Sequence, residues 1–275
     1  MSLLRPAAMA AAIIISSGAS AADLITDASF ACSLGKTIDA AFYPDRVSVV
    51  LSDGRDFTLP QTMSGSGARY ANANETIVFW NKGNTAFLTE GTDATPTYNG
   101  CIRVSDEVPD SGWLVFASSE FGFSLRYPPG YTVDGGYVYQ GLGPNNDITG
   151  VAFTIPAAMT DGTNLASDTK LSVETLPDLS DCAAPAFLPS GATPAETITE
   201  NGTEYSVASL SDAGAGNLYD QRVYALVGTS PCLAVRTFIH STNLANYDPG
   251  TVVAFDEQAL VDQFDAMRRT LVIGQ

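Results

Sequence analysis

Positive charge is scarce in this sequence. Its 13 Lys and Arg residues face 30 Asp and Glu residues, so that the formal net charge is −17 at pH 7. Three of the positive residues are lysines, namely Lys36, Lys82 and Lys170. This balance repels nucleic acid and anionic lipid, which carry charge of the same sign, and it speeds encounter with basic proteins. Acidity also keeps an exported protein soluble. The charge by itself therefore does not show whether the protein binds a basic partner or is only kept in solution.

Long apolar runs are missing too. The run from Ala7 to Ile15 is too short for a transmembrane helix, which needs about 20 residues, and no other segment comes close. Because it follows Arg5 and precedes a stretch of small residues, it predicts a secretory signal peptide over residues 1–22, cut after Ala21 or Ala22. No cysteine lies at that point to carry a lipid anchor. We therefore expect a periplasmic or secreted protein without membrane insertion.

Motifs for metal binding or catalysis are also lacking in the sequence. No pair of cysteines has C-x-x-C spacing, and the acidic stretch 161–168 does not have the ligand order of a calcium loop. The single histidine, His240, could serve a Ser-His-Asp set with Ser241 or Asp248, but no G-x-S-x-G turn accompanies it. We expect no metal, no cofactor and no enzymatic activity, and we interpret His240 as a structural or surface residue.

The four cysteines of the sequence suit an oxidising compartment. They are Cys32, Cys101, Cys182 and Cys232, and four cysteines allow three pairings that sequence alone does not separate. We favour Cys32 with Cys101 and Cys182 with Cys232, because each bridge then lies within one predicted domain.

Length and pattern predict two domains. Without the signal peptide about 250 residues remain, which is long for one hydrophobic core. Residues 23–103 contain short apolar alternations broken by turns at Asp53-Gly54 and Lys82-Gly83, which is typical of antiparallel strands in a small β-barrel or sandwich. The polar segment 104–112 predicts a linker, and residues 113–275 form the second domain.

The second domain is predicted to be α+β. Strand-like runs flank an Asn201-Gly202 turn and Cys232, which predicts an antiparallel sheet. A C-terminal helix is predicted by four apolar residues at helical spacing, with two arginines in its last turn. These residues are Leu260, Phe264, Met267 and Leu271, with Arg268 and Arg269. The run FGFSLRYPPGY and the elements after it weakly resemble PsbP-like domains, which implies at most a binding or scaffolding role and assigns no residues.

One stretch, SGSGARYANANETIVFWNKGN over residues 64–84, places a lysine beside a glycine at a turn. Strand residues Thr76–Trp80 precede this turn and Thr85–Leu88 follow it, so Lys82 should stand out from the end of the barrel. Ser66, between two glycines, could lie at the same end, where its small neighbours would let another surface approach.

These residues resemble the inhibitors of c-type lysozyme, named MliC when lipid-anchored and PliC when free in the periplasm. The family motif S-G-x-x-Y appears as Ser66-Gly67-Ala68-Arg69-Tyr70, and F-W-x-K-G appears as Phe79-Trp80-Asn81-Lys82-Gly83. The resemblance covers about residues 28–103. It implies a small antiparallel β-barrel with a Cys32–Cys101 disulfide, and the missing anchor cysteine places the chain nearer the periplasmic branch.

The resemblance also implies how the site acts. Ser66 and Lys82 would enter the cleft of c-type lysozyme and bond to its catalytic carboxylates. The supporting residues would be Gly67, Tyr70, Trp80 and Gly83. The main hypothesis is therefore an exported lysozyme inhibitor. The alternative is an envelope adaptor that retains the barrel and binds another basic partner through its acidic C-terminal domain. The sequence indicates neither the oligomeric state nor the role of residues 113–275.

Overall fold

The structure, a computed structural model, describes residues 23–92, 95–106, 112–177, 179 and 181–274. The predicted signal peptide, residues 1–22, and the middle of the predicted linker, residues 107–111, lie outside the described residues. In the part of the chain that is described, no helix has the length and apolar character of a membrane span.

The first eight strands close into an antiparallel barrel. They are β1 (Thr26–Ala31), β2 (Thr37–Phe42), β3 (Arg46–Leu51), β4 (Asp56–Thr62), β5 (Ala68–Ala71), β6 (Ile77–Lys82), β7 (Thr85–Glu90) and β8 (Pro96–Arg103). Each strand pairs with the next, and β8 returns to β1, where Phe30 lies opposite Arg103 and Ala31 opposite Ile102. The Cys32–Cys101 disulfide links the end of β1 to β8 beside this closure.

The barrel follows from the alternation of apolar and polar residues in its strands. In β3, Val47, Val49 and Leu51 are buried, whereas the residues between them are at least partly exposed. Side chains of a strand point alternately to its two faces, so every second residue fills the interior. Rings of Phe42, Tyr70 and Phe79 contact one another there, with centroids 6.0–6.2 Å apart.

The described residues of the second part form two antiparallel sheets and one α-helix. A three-stranded sheet has the order β18-β10-β9, with β9 (Leu114–Ser118), β10 (Phe123–Tyr127) and β18 (Val272–Ile273). A seven-stranded sheet has the order β11-β12-β13-β17-β16-β15-β14. Its strands are β11 (Thr132–Tyr139), β12 (Ile148–Thr154), β13 (Lys170–Leu176), β14 (Glu196–Glu200), β15 (Thr203–Gly214), β16 (Asn217–Leu226) and β17 (Cys232–Thr242). Four short 3-10 helices lie at Ser33–Gly35, Ala157–Met159, Ala184–Phe187 and Leu244–Asn246. The predicted fold class, a β-barrel followed by an α+β region, is confirmed.

The C-terminal helix α1 (Glu257–Arg269) covers one face of the large sheet. Asp256 caps its start by accepting a hydrogen bond from the Ala259 amide at 3.0 Å. The predicted core residues Leu260, Phe264 and Met267 are buried, but the helix ends before Leu271, which packs against the same core from the following segment. The helix is thus shorter than the spacing predicted, because Thr270 closes its last turn.

Both faces of the large sheet contribute buried side chains, and those of the second face belong to a separate core that contains the Cys182–Cys232 disulfide. The barrel interior forms a third core. These separate cores are compatible with two domains, while the division at residues 104–112 stays a prediction. Both disulfides that we favoured are present.

The second part contacts the barrel at the end that carries the β6–β7 turn. The Asn84 side-chain amide donates to the Ile273 carbonyl of β18 at 2.9 Å. Ser124 on β10 donates its hydroxyl to the Arg103 carbonyl at 2.6 Å. Gly274 lies so close that an added Cβ would be 3.1 Å from Thr85. Surfaces of the second part therefore flank this end of the barrel.

Candidate functional site

Lys82 is the last residue of β6 and pairs with Thr85 of β7, so Gly83 and Asn84 form the turn. The turn predicted at Lys82-Gly83 is therefore one residue too early. Gly83 has φ of +53°, a value that glycine adopts without strain. The Thr85 hydroxyl donates to the Lys82 carbonyl at 2.9 Å. The backbone of Lys82 is thus fixed by the sheet while its side chain is exposed to solvent.

Ser66 lies in the exposed loop between β4 and β5. Its carbonyl accepts a hydrogen bond from the Trp80 indole at 3.0 Å and another from the Ser64 hydroxyl at 2.7 Å. These bonds hold the backbone and leave the Ser66 hydroxyl without an intramolecular partner among the described residues. The serine is therefore presented by a fixed loop.

Gly67 brings this loop against β6. A Cβ added at Gly67 would lie 2.4 Å from the carbonyl oxygen of Asn81 and 3.0 Å from Cβ of Lys82, and φ of Gly67 is +68°. Any larger residue would collide with backbone at that distance. The glycine therefore allows the Ser66 loop to lie directly beside Lys82. The structure places the two predicted site residues at the same end of the barrel, as the sequence suggested.

The aromatic residues of the two motifs lie on opposite sides of the barrel wall. Tyr70 is buried inside, and this burial raises the pKa of its phenol. Trp80 points outward and stacks on Phe87 with ring centroids 5.2 Å apart. Its indole reaches the Ser66 loop from this position. Tyr70 thus supports the barrel interior and Trp80 supports the loop.

Lys82 differs from the other positive residues of the barrel. Among the described residues of the barrel, each arginine has an acidic partner within 4 Å: Arg46 with Asp45, Arg55 with Asp53 and Glu90, Arg69 with Glu75, and Arg103 with Asp106. Hydrogen bonds from Arg55 lower the pKa of Asp53 to about 2. Lys36 donates to the Thr97 carbonyl at 2.7 Å and lies over the Tyr98 ring. Lys82 has no such partner in the described chain, so its ammonium is available to a bound molecule.

His240 has a carboxylate partner on one ring nitrogen, as a Ser-His-Asp set would, but the partner of its other nitrogen is an amide oxygen and not a serine hydroxyl. Its Nδ1 lies 2.6 Å from a carboxylate oxygen of Asp168, and its Nε2 lies 3.0 Å from Oδ1 of Asn217. The ring stacks on Tyr219 with centroids 4.5 Å apart. Within the described residues, no hydrogen bond joins His240 to the side chain of Ser241 or Asp248, the two partners considered from the sequence. The contacts are those of a residue that organises the sheet surface.

Comparison with known proteins concerns the barrel. Residues 30–96 match the family model described as "Membrane-bound lysozyme-inhibitor of c-type lysozyme", MliC. This segment is therefore similar to the MliC family. A curated relative from Yersinia enterocolitica, "Membrane-bound lysozyme inhibitor of C-type lysozyme", is 54% identical over 44 residues. That match spans 16% of this chain and 35% of the relative, so the chain covers about a third of the relative's length.

Two residues near the MliC motifs were missed by the sequence reasoning. Met63 is 96% exposed in the same loop as Ser66, although a thioether ordinarily packs against other apolar groups. Asn84 binds the C-terminal strand across 189 positions of sequence. An apolar residue in a loop of serine and glycine could have drawn attention to Met63, whereas no local pattern indicates the partner of Asn84.

Proposed function

We propose that this protein inhibits a c-type lysozyme by inserting Lys82 and Ser66 into the active-site cleft of the enzyme. The observation that carries the proposal is the exposed ammonium of Lys82, which lacks an acidic partner in the described chain and lies next to the Ser66 loop. The match of residues 30–96 to the MliC family model supports the choice of partner. Because the match covers only part of the chain, the activity of the whole protein belongs to this proposal.

The chemistry of the enzyme explains why a lysine would inhibit it. A retaining glycosidase uses two carboxyl groups about 5 Å apart, of which one must remain protonated to act as the general acid. An ammonium placed between them favours the ionised form of both and so removes the acid. The Ser66 hydroxyl can donate a hydrogen bond to the same carboxylates. The inserted loop and turn would also fill the space that the sugar occupies.

The fixed geometry of the two residues favours tight binding. Lys82 is held by strand pairing, and the loop of Ser66 is held by Trp80 and by close packing at Gly67. A surface that is already ordered loses less conformational entropy when it binds. Inhibition would therefore require little rearrangement of the barrel.

The proposed partner also fits the overall charge. Lysozymes of this type are basic, and a chain with net charge −17 would be steered toward them in a salt-dependent manner. The two disulfides suit an oxidising compartment, where such an enzyme acts on cell walls. Export through the signal peptide at residues 1–22 and residence in the periplasm or outside the cell are part of the proposal.

A lysis assay tests this function directly. The purified mature chain is added to c-type lysozyme, and the clearing of a cell-wall suspension is followed. We expect clearing to stop at a stoichiometric amount of the chain and to resume when the complex is diluted. Unchanged clearing, together with no complex on size-exclusion chromatography, would reject inhibition and favour the adaptor hypothesis, in which the acidic second part binds another basic protein.

A further inference from the structure

A groove of about 690 Å³ separates the β6–β7 turn from the second part of the chain. Gly83 and Asn84 line one wall, directly after Lys82. The second part contributes Gly202 of the turn between β14 and β15, and Thr203 and Glu204 at the start of β15. Asn84 is bonded to Ile273, which also lines the groove. The groove is therefore a fixed feature beside the predicted inhibitory lysine.

The turn between β14 and β15, which lines the groove, has a regular conformation. Asn201 and Gly202 have φ of +49° and +80°, which is the geometry of a tight two-residue hairpin turn. Glu204 follows in β15 and is exposed, and it makes no ion pair with any residue the structure describes. Asp106 lines the same groove and pairs with Arg103, with 72% of its side chain exposed. Glu204 is thus a groove carboxylate that no described residue neutralises, whereas Asp106 is paired with Arg103.

We propose that this groove is a second contact for the same lysozyme, in which Glu204 receives a basic side chain from the rim of the enzyme's cleft. The inference rests on the proposed function. An enzyme seated on Lys82 must extend over the neighbouring surface, since a stable protein complex buries about 800 Å² on each partner, more than one turn and one loop supply. The surface next to the turn is the groove wall of the second part.

Charge complementarity supports this arrangement. A c-type lysozyme combines an acidic catalytic pair with a basic exterior, and the groove region offers the opposite pattern, a cation at Lys82 and a free carboxylate at Glu204. Residues 104–275 include 21 acidic and six basic residues. The net charge of this part would therefore attract the basic rim of the enzyme's cleft. The second part, which lies beyond the MliC match at residues 30–96, would then contribute to affinity for particular lysozymes.

The test compares two charge-neutralising variants on the same strand. Glu204→Gln removes the proposed contact, and Asp212→Asn is the matched control, because it lies eight residues along β15, about 27 Å away, and is also exposed. Association and dissociation rates with c-type lysozyme are measured on the full mature chain at low and at high salt. We expect Glu204→Gln to weaken binding about two- to five-fold at low salt, mainly through slower association, and Asp212→Asn to have no effect.

Two further results decide the interpretation. Glu204→Lys should weaken binding more than Glu204→Gln, and both losses should shrink at high salt, because exposed ion pairs are screened. Thermal unfolding should be unchanged in all three variants, since the side chains are exposed. If the wild-type chain inhibits and the Glu204 variants behave like Asp212→Asn, the groove contact is wrong and the inhibitory function stands. If the wild-type chain does not bind lysozyme, both proposals fall.

Discussion

The barrel and the second part of the chain differ in where their positive charges lie. The ion-paired arginines of the barrel are at the surface, where their side chains are 26–47% exposed, and Lys82 remains without an acidic partner in the described residues. In the second part, Arg236 and Arg268 are 0% and 1% exposed. Two of the six positive residues of the second part therefore lie in its interior, and the 21 acidic residues of that part outnumber those that remain.

The interior cations of the second part are held by several partners at once. Arg236 makes two hydrogen bonds of 2.8 Å to Glu174, and it lies 3.7 Å from the centre of the Tyr139 ring. Arg268 bonds to Glu200 and Asp265 and lies over the Tyr224 ring. The sequence predicted Arg268 as a charge at the end of the helix dipole, but the structure buries it between helix and sheet. The comparison teaches that a cation without an acidic partner among the described residues lies at the barrel surface, whereas the buried cations of the second part stabilise its fold.

Removing the buried carboxylate should have the largest effect on stability. Glu174→Gln leaves Arg236 buried without its counter-charge, so we expect the free energy of unfolding to fall by about 3–5 kcal/mol. Urea denaturation measures this change. The matched control is Glu196→Gln, which breaks an exposed pair with Arg222 at 3.4 Å and should cost less than about 1 kcal/mol. Equal losses in the two variants would remove the distinction between interior and surface charge.

Removing the free cation should instead affect binding. Lys82→Met keeps most of the aliphatic stem and deletes the charge, so we expect the binding free energy for c-type lysozyme to weaken by about 2–5 kcal/mol with no change in stability. Arg55→Ala is the control, because it deletes the same charge at the opposite end of the barrel, where Arg55 contacts Glu90 at the end of β7. Affinity that is lost equally in both variants would show that only net charge matters.

The sequence predicted the parts of the site that depend on local pattern. Alternation in the strands and the glycine of the β6–β7 turn were enough to place Lys82 at the end of a barrel, although the turn begins one residue later than predicted. The small residues around Ser66 likewise predicted a loop that another surface can approach. Local rules suffice here because strand period and turn conformation depend on neighbours in sequence.

Other features of the site depend on contacts between distant residues. The Trp80 indole that holds the Ser66 carbonyl bridges 14 positions, and the Asn84 bond to Ile273 bridges 189. Neither has a local signature, because both require the closed barrel and the docked C-terminal strand to exist first. The groove beside Lys82 could not be predicted for the same reason. Burial of Arg268 was missed because helix amphipathicity does not reveal which polar residue meets an acidic partner on the sheet.

The close approach at Gly67 allows a sharper test of the barrel. Gly67→Ala introduces a Cβ against the Asn81 carbonyl at a positive φ, so we expect the Ser66 loop to shift and the binding free energy to weaken by about 1–3 kcal/mol. Gly65→Ala is the matched control in the same loop, because its Cβ would meet open space. Inhibition constants for the two variants provide the measurement. A Gly67→Ala protein that inhibits as well as Gly65→Ala would mean that the loop need not lie against Lys82.

Among the barrel residues of the proposed site, the smallest expected effect belongs to the hydroxyl of Ser66. Ser66→Ala leaves the carbonyl that Trp80 holds, so only the bond donated to the enzyme is lost, and we expect binding to weaken by about 1.5 kcal/mol. The inhibition constant measures this change.

Combining Ser66→Ala with Lys82→Met tests whether the two side chains bind the same carboxylates. If both side chains bind the same pair of carboxylates, their contributions to binding are coupled. The double variant should then lose less binding free energy than the sum of the two single losses, because removing either side chain already weakens the contact that the other one makes. Strict additivity would place Ser66 at a different point of the cleft, with the barrel end acting as two independent contacts.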